Sequence, residues 1–199
     1  LLSSQWRDYR IYFPKHPLLE HVNEKSFQGL TMLNDPRIGH QFVFFGLHNG
    51  VIAVFKNEFD SAEIKFVTAE KLINPGEDLL AIESAGTRLV LLSSDKEKKT
   101  LTLWVYKLDV YPQIQLTNEC SIDLSKYGTY QANPEVKVKY MSTYFIIAVN
   151  YPGNKLLMYS FKHPDLSIFP FNCGMEPEVI EYAKMYPGSK VGYSFDFFY

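Results

Sequence analysis

The sequence predicts an all-β fold in which the pattern of an antiparallel four-stranded sheet occurs three times. Residues 87–117 read as an apolar strand, a charged turn, a second apolar strand, a loop and a strand that alternates. The same order precedes this stretch at 41–67 and follows it at 143–171. Apolar runs of this length bounded by turn residues predict buried strands, and strict alternation predicts a half-exposed strand.

The composition predicts a globular chain with one domain over 1–199. Of the 199 residues, 46% are hydrophobic and 16% aromatic, which excludes a disordered or fibrous chain. The formal net charge of −2 provides no basic excess for binding nucleic acid. The same lack of basic excess disfavours binding to an anionic membrane. No apolar run approaches the roughly 18 residues that a membrane helix needs, so no membrane span is predicted.

The first copy shows how the strands are assigned. An entry strand is expected at 27–33 and a hairpin around Asn49-Gly50, a pair that favours the positive φ angles of a two-residue turn. The half-exposed strand over 63–67 ends the copy, and a helical turn is expected at 69–72. The entry strands of the later copies are predicted at 78–84 and 136–140.

An aromatic residue followed by lysine ends the second hairpin strand of each copy. These pairs end at Lys56, Lys107 and Lys162, an interval of about 50 residues. Repeats of that length, running from buried to exposed strands, are what the blades of a propeller require. The predicted blades span approximately 27–68, 78–120 and 135–173.

In this pattern the sequence resembles the divergent WD40-like β-propeller superfamily, over about 27–173. The Trp-Asp pair of that superfamily is absent, and aromatic-lysine pairs stand at the strand ends instead. The resemblance implies radially stacked blades but assigns no functional residue. A meandering sandwich or barrel is the alternative architecture.

Both ends of the chain are predicted to contribute further elements. Residues 6–13 and 191–199 read as terminal strands, and 175–186 has helical spacing that predicts a short C-terminal helix. Three blades leave apolar sheet faces uncovered. Either the terminal strands pair into a fourth blade, or further blades come from flanking sequence or from another chain, a second copy included. We favour the external route, because the chain starts with Leu1-Leu2 and therefore reads as a fragment or processed product.

The two cysteines are expected to be free thiols. Cys120 and Cys173 fall at equivalent strand ends of neighbouring copies, about one repeat width apart, and a disulfide needs Cα atoms within about 7 Å. With no Asn-X-Ser/Thr glycosylation site, free thiols favour the cytoplasm or nucleus. A secreted location stays open.

No catalytic, metal-binding or cofactor-binding motif occurs. The five histidines lack metal-ligand spacing, and glycine-rich phosphate loops and serine-nucleophile signatures are absent. The predicted function is a non-catalytic scaffold that binds protein partners through blade edges and loops. Aromatic side chains commonly anchor such interfaces. The candidate partner-binding residues are Trp6, Tyr9, Tyr12, Tyr127, Tyr130, Phe197, Phe198 and Tyr199.

The alternative function is a secreted propeller-type glycosidase or a protein that binds a small ligand at the propeller axis. Asp78 and Glu83, on one entry strand, are the candidate carboxylates, and Glu83 and Lys137 the candidate lining of an axial pocket. Catalytic carboxylates would lie roughly 5–10 Å apart. Apolar side chains at the axis would favour the scaffold instead.

Overall fold

The computed structural model describes residues 11–35, 40–58, 63–131, 133–141, 143–151, 155–162 and 171–181. Over these residues the chain forms three separate antiparallel sheets of four strands. Sheet 1 contains β1 (Phe27–Asp35), β2 (His40–Leu47), β3 (Val51–Glu58) and β4 (Ile64–Lys71). Sheet 2 contains β5 (Glu77–Ala85), β6 (Arg88–Asp95), β7 (Thr100–Asp109) and β8 (Gln115–Asp123). Sheet 3 contains β9 (Glu135–Met141), β10 (Tyr144–Tyr151), β11 (Lys155–Lys162) and β12 (Glu178–Glu181).

Each sheet is a meander whose strands pair in chain order. The second and third strands of sheets 1 and 2 are deeply buried, as β6 shows with seven of its eight residues buried. In sheet 3, β10 is mostly buried, whereas β11 has three buried residues of eight. The fourth strand β8 alternates and is largely exposed. The entry strands of the three sheets lie side by side, β1 against β5 and β5 against β9. This is the radial stacking that the repeat predicted.

Two apolar cores lie between neighbouring sheets. The core between sheets 1 and 2 contains Phe44, Ile52, Leu91 and Trp104, and the core between sheets 2 and 3 contains Leu103 with residues of β10 and β11. Sheet 2 therefore uses one face in each core. Burying such side chains contributes roughly 1.5–3 kcal/mol each, so sheet 2 carries much of the stabilisation.

Glycines allow sheets 1 and 2 to approach closely at their inner strands. A Cβ atom on Gly29 would lie 2.8 Å from Cγ2 of Ile82, and one on Gly46 would lie 2.6 Å from Cδ2 of Leu79. Side-chain hydrogen bonds add to this contact. Gln28 donates to the carbonyl of Leu80 across 2.7 Å.

The N-terminal segment covers the outer part of sheet 1. Residues Pro17–Leu19 and Glu24–Ser26 form short 3-10 turns. Leu19 is buried against the outer strands with Phe55 and Ala69. Because Ile11–Phe13 is not in a strand, the prediction of a strand through 13 is wrong over those residues. Residues 6–10 and 191–199 lie outside the described part of the chain.

The predicted C-terminal helix is absent from the described residues 175–181. Residues Glu178–Glu181 instead form β12, with Val179 paired to Leu157 and Ile180 to Leu156. This strand is the fourth strand of sheet 3 among the described residues. The half-exposed strand expected at 167–171 ends the third copy in the sequence pattern, and its residues 167–170 lie outside the described part of the chain. The helical turn expected at 69–71 is also wrong, since β4 continues to Lys71. Among the described residues no helix is long and apolar enough to span a bilayer.

The expectation of free cysteines is wrong as well. Cys120 and Cys173 form a disulfide with Cα atoms 5.4 Å apart. Cys173 does not end a strand, because it lies in the connection that leads to β12 and crosses towards sheet 2. Phe171 begins this crossing and packs in the core between sheets 2 and 3. The argument from free thiols to a reducing compartment therefore no longer holds.

Candidate partner-binding surfaces

Among the described residues, exposed apolar side chains lie on the face of sheet 1 that points away from sheet 2. We call it the sheet 1 flank, formed by Phe27, Leu30, Met32 and Phe45 together with residues 11–13. Leu30 is 51% exposed and Met32 54% exposed, on the innermost strand. A single exposed apolar residue is ordinary, but two on one face of one strand form part of a patch.

Phe13 fixes the N-terminal segment beside this patch. Its ring lies 5.5 Å from the ring of Phe27, 5.7 Å from Phe45 and 5.4 Å from Phe55, in tilted or edge-to-face geometry. Aromatic pairs in these geometries contribute about 0.5–1.5 kcal/mol beyond their buried area. An open cavity of about 570 Å³ lies between the segment and the sheet, lined by Ile11, Phe13, Leu19, Val22, Asn23, Glu24, Phe27 and Phe45.

The predicted partner-binding residues fall into three groups. Tyr12 is 74% exposed beside the sheet 1 flank. Tyr127 and Tyr130 are half-buried on the opposite side of the molecule, next to sheet 3. The other five lie outside the described residues: Trp6, Tyr9, Phe197, Phe198 and Tyr199. Within the described part, the structure does not bring Tyr12 together with the other two tyrosines.

Both half-buried tyrosines use their hydroxyls within the chain. The Tyr127 hydroxyl donates to Oε2 of Glu176 across 2.7 Å, and the Tyr130 hydroxyl lies 2.7 Å from Oγ of Ser94. Lys126 Nζ lies 2.6 Å from Oε1 of the same Glu176. These bonds tie the connection before β12 to the turn after β8. We therefore assign both hydroxyls a structural role, while their rings stay partly exposed.

The electrostatics of this cluster follow from its hydrogen bonds. The bond from Lys126 lowers the pKa of Glu176 below its ordinary value, and the bond from Tyr127 lowers it further. The same carboxylate raises the pKa of Lys126. Desolvation is the main cause that raises the pKa of Tyr127. The cluster is thus an ion pair with a neutral phenol at neutral pH.

A polar depression of about 420 Å³ opens at the turn end of sheet 2. Trp104 Nε1 donates to Oγ of Ser93 across 2.7 Å, and Ser93 donates onward to Oε2 of Glu77 across 2.7 Å. Thr102 also donates to Glu77, across 3.3 Å. Side chains of sheet 2 donate hydrogen bonds that the Glu77 carboxylate accepts. The polar lining of the depression therefore does not indicate a bound ligand. Sequence reasoning missed this network, because Glu77 reads as a turn residue.

An ion pair between a buried arginine and a half-buried glutamate lies at the other end of sheet 2. Arg88 Nε lies 3.0 Å from Oε2 of Glu119, and Nη2 donates to Oε1 across 3.2 Å. The guanidinium also lies 5.3 Å from the ring centroid of Phe171. The bidentate geometry suits Arg rather than Lys. This pair holds β6, β8 and the crossing segment together, next to the disulfide.

The candidate carboxylates do not form a catalytic pair. Asp78 Oδ2 lies 2.6 Å from Nζ of Lys96 in the hairpin between β6 and β7. Glu83 is five residues further along β5, about 16 Å at the rise of an extended strand, beyond the separation that glycosidases use. Among the described residues, no three His, Cys, Asp or Glu side chains converge to bind a metal ion.

The chain is similar to known proteins in its structure, whereas comparisons of its sequence find no match. No protein-family model matches the sequence, and no curated protein matches it significantly. Among solved structures, the β-propeller domain of Nup133 from Vanderwaltozyma polyspora is similar, with a TM-score of 0.53 at 12% identity. The similarity covers 80% of this chain and 49% of that domain, so the chain spans about half the length of the propeller it matches.

The chain has the fold of a β-propeller segment. Each of the three sheets is a blade, and β1, β5 and β9 are the inner strands. The predicted fold class is confirmed, apart from the C-terminal helix. The blade bounds and the single domain over 1–199 stay predictions. At this identity the match concerns the fold alone.

Proposed function

We propose that this propeller segment is a non-catalytic scaffold of a larger assembly and binds protein partners. The sheet 1 flank carries the proposal, because Tyr12, Leu30 and Met32 expose apolar surface beside an open cavity. Large exposed apolar patches mark binding sites in soluble proteins. The separation of Asp78 from Glu83 counts against the glycosidase alternative.

The scaffold we propose is a complex subunit in the cytoplasm or nucleus, and the likeness to a Nup133 propeller domain supports the propeller fold on which this proposal rests. We propose this location together with the scaffold function. Protein partners are the proposed ligands, and neither nucleic acid nor membrane is among them. The aromatic residues outside the described part, Trp6, Tyr9, Phe197, Phe198 and Tyr199, remain candidate anchors for these partners.

The test compares assembly with activity. The full-length tagged protein is isolated from the cells that express it, after mild cross-linking, and its mass is measured by size exclusion with light scattering. We expect a complex that contains other polypeptides and is unchanged by Asp78→Asn or Glu83→Gln. A protein that elutes alone, or that hydrolyses aryl glycosides in a manner lost in these two variants, contradicts the proposal.

A further inference from the structure

The two cysteines of the disulfide differ in their exposure to solvent. Cys120 lies in β8 and is 2% exposed, as part of the core between sheets 2 and 3. Cys173 lies in the connection that leads to β12, and it is exposed together with its neighbours Asn172 and Gly174. A thiol in solution can therefore approach the disulfide from the side of Cys173 rather than from the side of Cys120.

The disulfide attaches a strand that buries little of its own surface. None of the four residues of β12 is buried. The fourth strand of sheet 2, β8, is longer at nine residues, and two of these are buried. A strand with few buried apolar contacts opens locally at a lower free energy than a core strand does. The disulfide, which lies a few residues before β12, therefore supplies much of what keeps this strand in place.

The other contacts of the connection lie on either side of the disulfide and differ in strength. Before Cys173, the buried ring of Phe171 lies 4.5 Å from the ring of Phe161 in the core. After Cys173, Glu176 pairs with Lys126 at the surface, where ion pairs contribute little to stability. Opening of the disulfide should therefore leave Phe171 anchored and free the part of the chain that follows Cys173.

We propose that Cys173 is a site of thiol exchange, and that reduction of the disulfide by a small thiol releases β12 from β11. This inference goes beyond the proposed scaffold function. The attacking thiolate forms a bond to Sγ of Cys173, the S–S bond breaks, and its electron pair leaves on Sγ of Cys120, which takes a proton from water. A second thiolate then attacks the reductant's sulfur in the mixed disulfide, and Cys173 leaves as a thiolate. The protein gains two electrons, and the two reductant molecules are oxidised to their own disulfide.

Reduction changes which backbone groups the protein presents to solvent. Residues 155–158 of β11 pair with β12 in the oxidised protein. Without β12, their outward N–H and C=O groups form a strand edge that can pair with a strand of another chain. The exchange also fits the proposed location, because disulfides in the cytoplasm and nucleus are usually transient and redox-sensing.

The experiment treats the folded, oxidised full-length protein with millimolar glutathione in native buffer. Mass spectrometry after an acid quench locates the mixed disulfide, which we expect on Cys173 rather than on Cys120. Hydrogen exchange on the reduced protein should be at least tenfold faster in peptides that cover residues 174–181 and 155–158. The amides of β6 should stay protected over the same labelling time, because they exchange only when the whole fold opens.

A variant reproduces the reduced state without a reductant. Cys173→Ser should show the fast exchange of β12 seen in the reduced wild type. The matched control is Ser121→Ala, next to Cys120 in β8, which should exchange like the oxidised wild type. Circular dichroism checks that both variants fold, and the wild-type measurement needs neither of them.

Three results would overturn the proposal. The first is a mixed disulfide on Cys120, or a disulfide that is reduced only in denaturant, because the exposed sulfur is then not the site of exchange. The second is complete reduction without faster exchange in β12. The third is loss of protection in β6 together with β12, because the disulfide then holds the whole fold and not one strand.

Discussion

At the scale of single residues, Gly50 is required for two physical reasons. It closes the turn between β2 and β3 with φ of +80°, a region that residues with a side chain rarely adopt. A Cβ atom at this position would also collide with the side chain of Ile73. The Asn49-Gly50 pair indicated the turn from sequence, but the contact with Ile73 depends on the connection between β4 and β5.

Substituting Gly50 by Ala should therefore destabilise the protein more than the turn geometry alone requires. The left-handed backbone costs roughly 1–2 kcal/mol, and the overpacking against Ile73 adds about 1–3 kcal/mol. Gly76→Ala is the matched control, because Gly76 has φ of +85° and no atom within 4 Å of the added Cβ. Chemical denaturation measures both variants. Equal losses of unfolding free energy would contradict the role of Ile73.

The carboxylate of Glu176 gives a second residue-scale prediction, in its dependence on pH. Its pKa is lowered in the folded protein by Lys126 and Tyr127. The ionised carboxylate therefore contributes stability at pH values above its ordinary pKa, and this contribution is lost as the pH falls through the lowered pKa. The wild type should melt at a higher temperature than Glu176→Gln at pH 6, and the difference should shrink as the solution is acidified below about pH 4.

Thermal melts of both proteins across this range measure the difference. Because Glu176 is exposed, the effect is small and is screened by salt. Lys126 also contributes stability, but its contribution depends on pH in the opposite direction. Its raised pKa means that stability is lost only as the pH rises through that value, above the ordinary 10.5. A melting difference that grows on acidification would refute this assignment.

At the scale of elements, the disulfide joins two blades. Cys120 lies in β8 of sheet 2 and Cys173 in the connection to β12 of sheet 3, 53 residues apart. A crosslink across a loop of that length stabilises by about 4 kcal/mol in the chain-entropy description. Cys173→Ser should lower the melting temperature under oxidising conditions and have little effect once wild type is reduced.

Thiol labelling measures the bond directly. Alkylation of the unfolded, unreduced protein should add no mass, and alkylation after reduction should add two labels. Two labels without reduction would contradict the disulfide. The same alkylation, applied to cells before lysis, tests the proposed location, because structural disulfides are rare in the cytoplasm and nucleus.

The strands that could be predicted from sequence are those with a distinctive pattern in their own residues or in the adjoining turn. Apolar runs such as β6 and the turn at Gly50 needed no knowledge of the rest of the chain. The last strand was missed because Val179 and Ile180 are compatible with either helical or strand spacing in so short a segment. The segment forms a strand because it can pair with the edge of β11, where Leu156 pairs with Ile180 and Leu157 with Val179. That pairing, like the disulfide, depends on contacts distant in sequence.

At the scale of the whole molecule, the repeat interval predicted radial stacking but not how its first face is covered. The aromatic-lysine pairs recur at similar intervals, and these indicate similar structural units. Nothing in the repeat indicates that Phe13 and Leu19 pack against sheet 1, because residues 11–26 belong to no copy. The candidate binding surface arises from this mismatch, since the segment packs on the outer strands and on Phe27 and Phe45 but leaves Leu30 and Met32 exposed.

Sheet 2 should make the three blades unfold as one unit, because it contributes one face to each core. Trp104 reports on the core between sheets 1 and 2, where it is 9% exposed. In a Trp6→Phe background its fluorescence and far-UV circular dichroism should show the same midpoint in denaturant. Leu103→Ala truncates a fully buried side chain in the other core, at a cost of about 2–5 kcal/mol. It should lower both midpoints equally. If the fluorescence midpoint stays while the dichroism midpoint falls, the blades unfold separately and sheet 2 does not couple them.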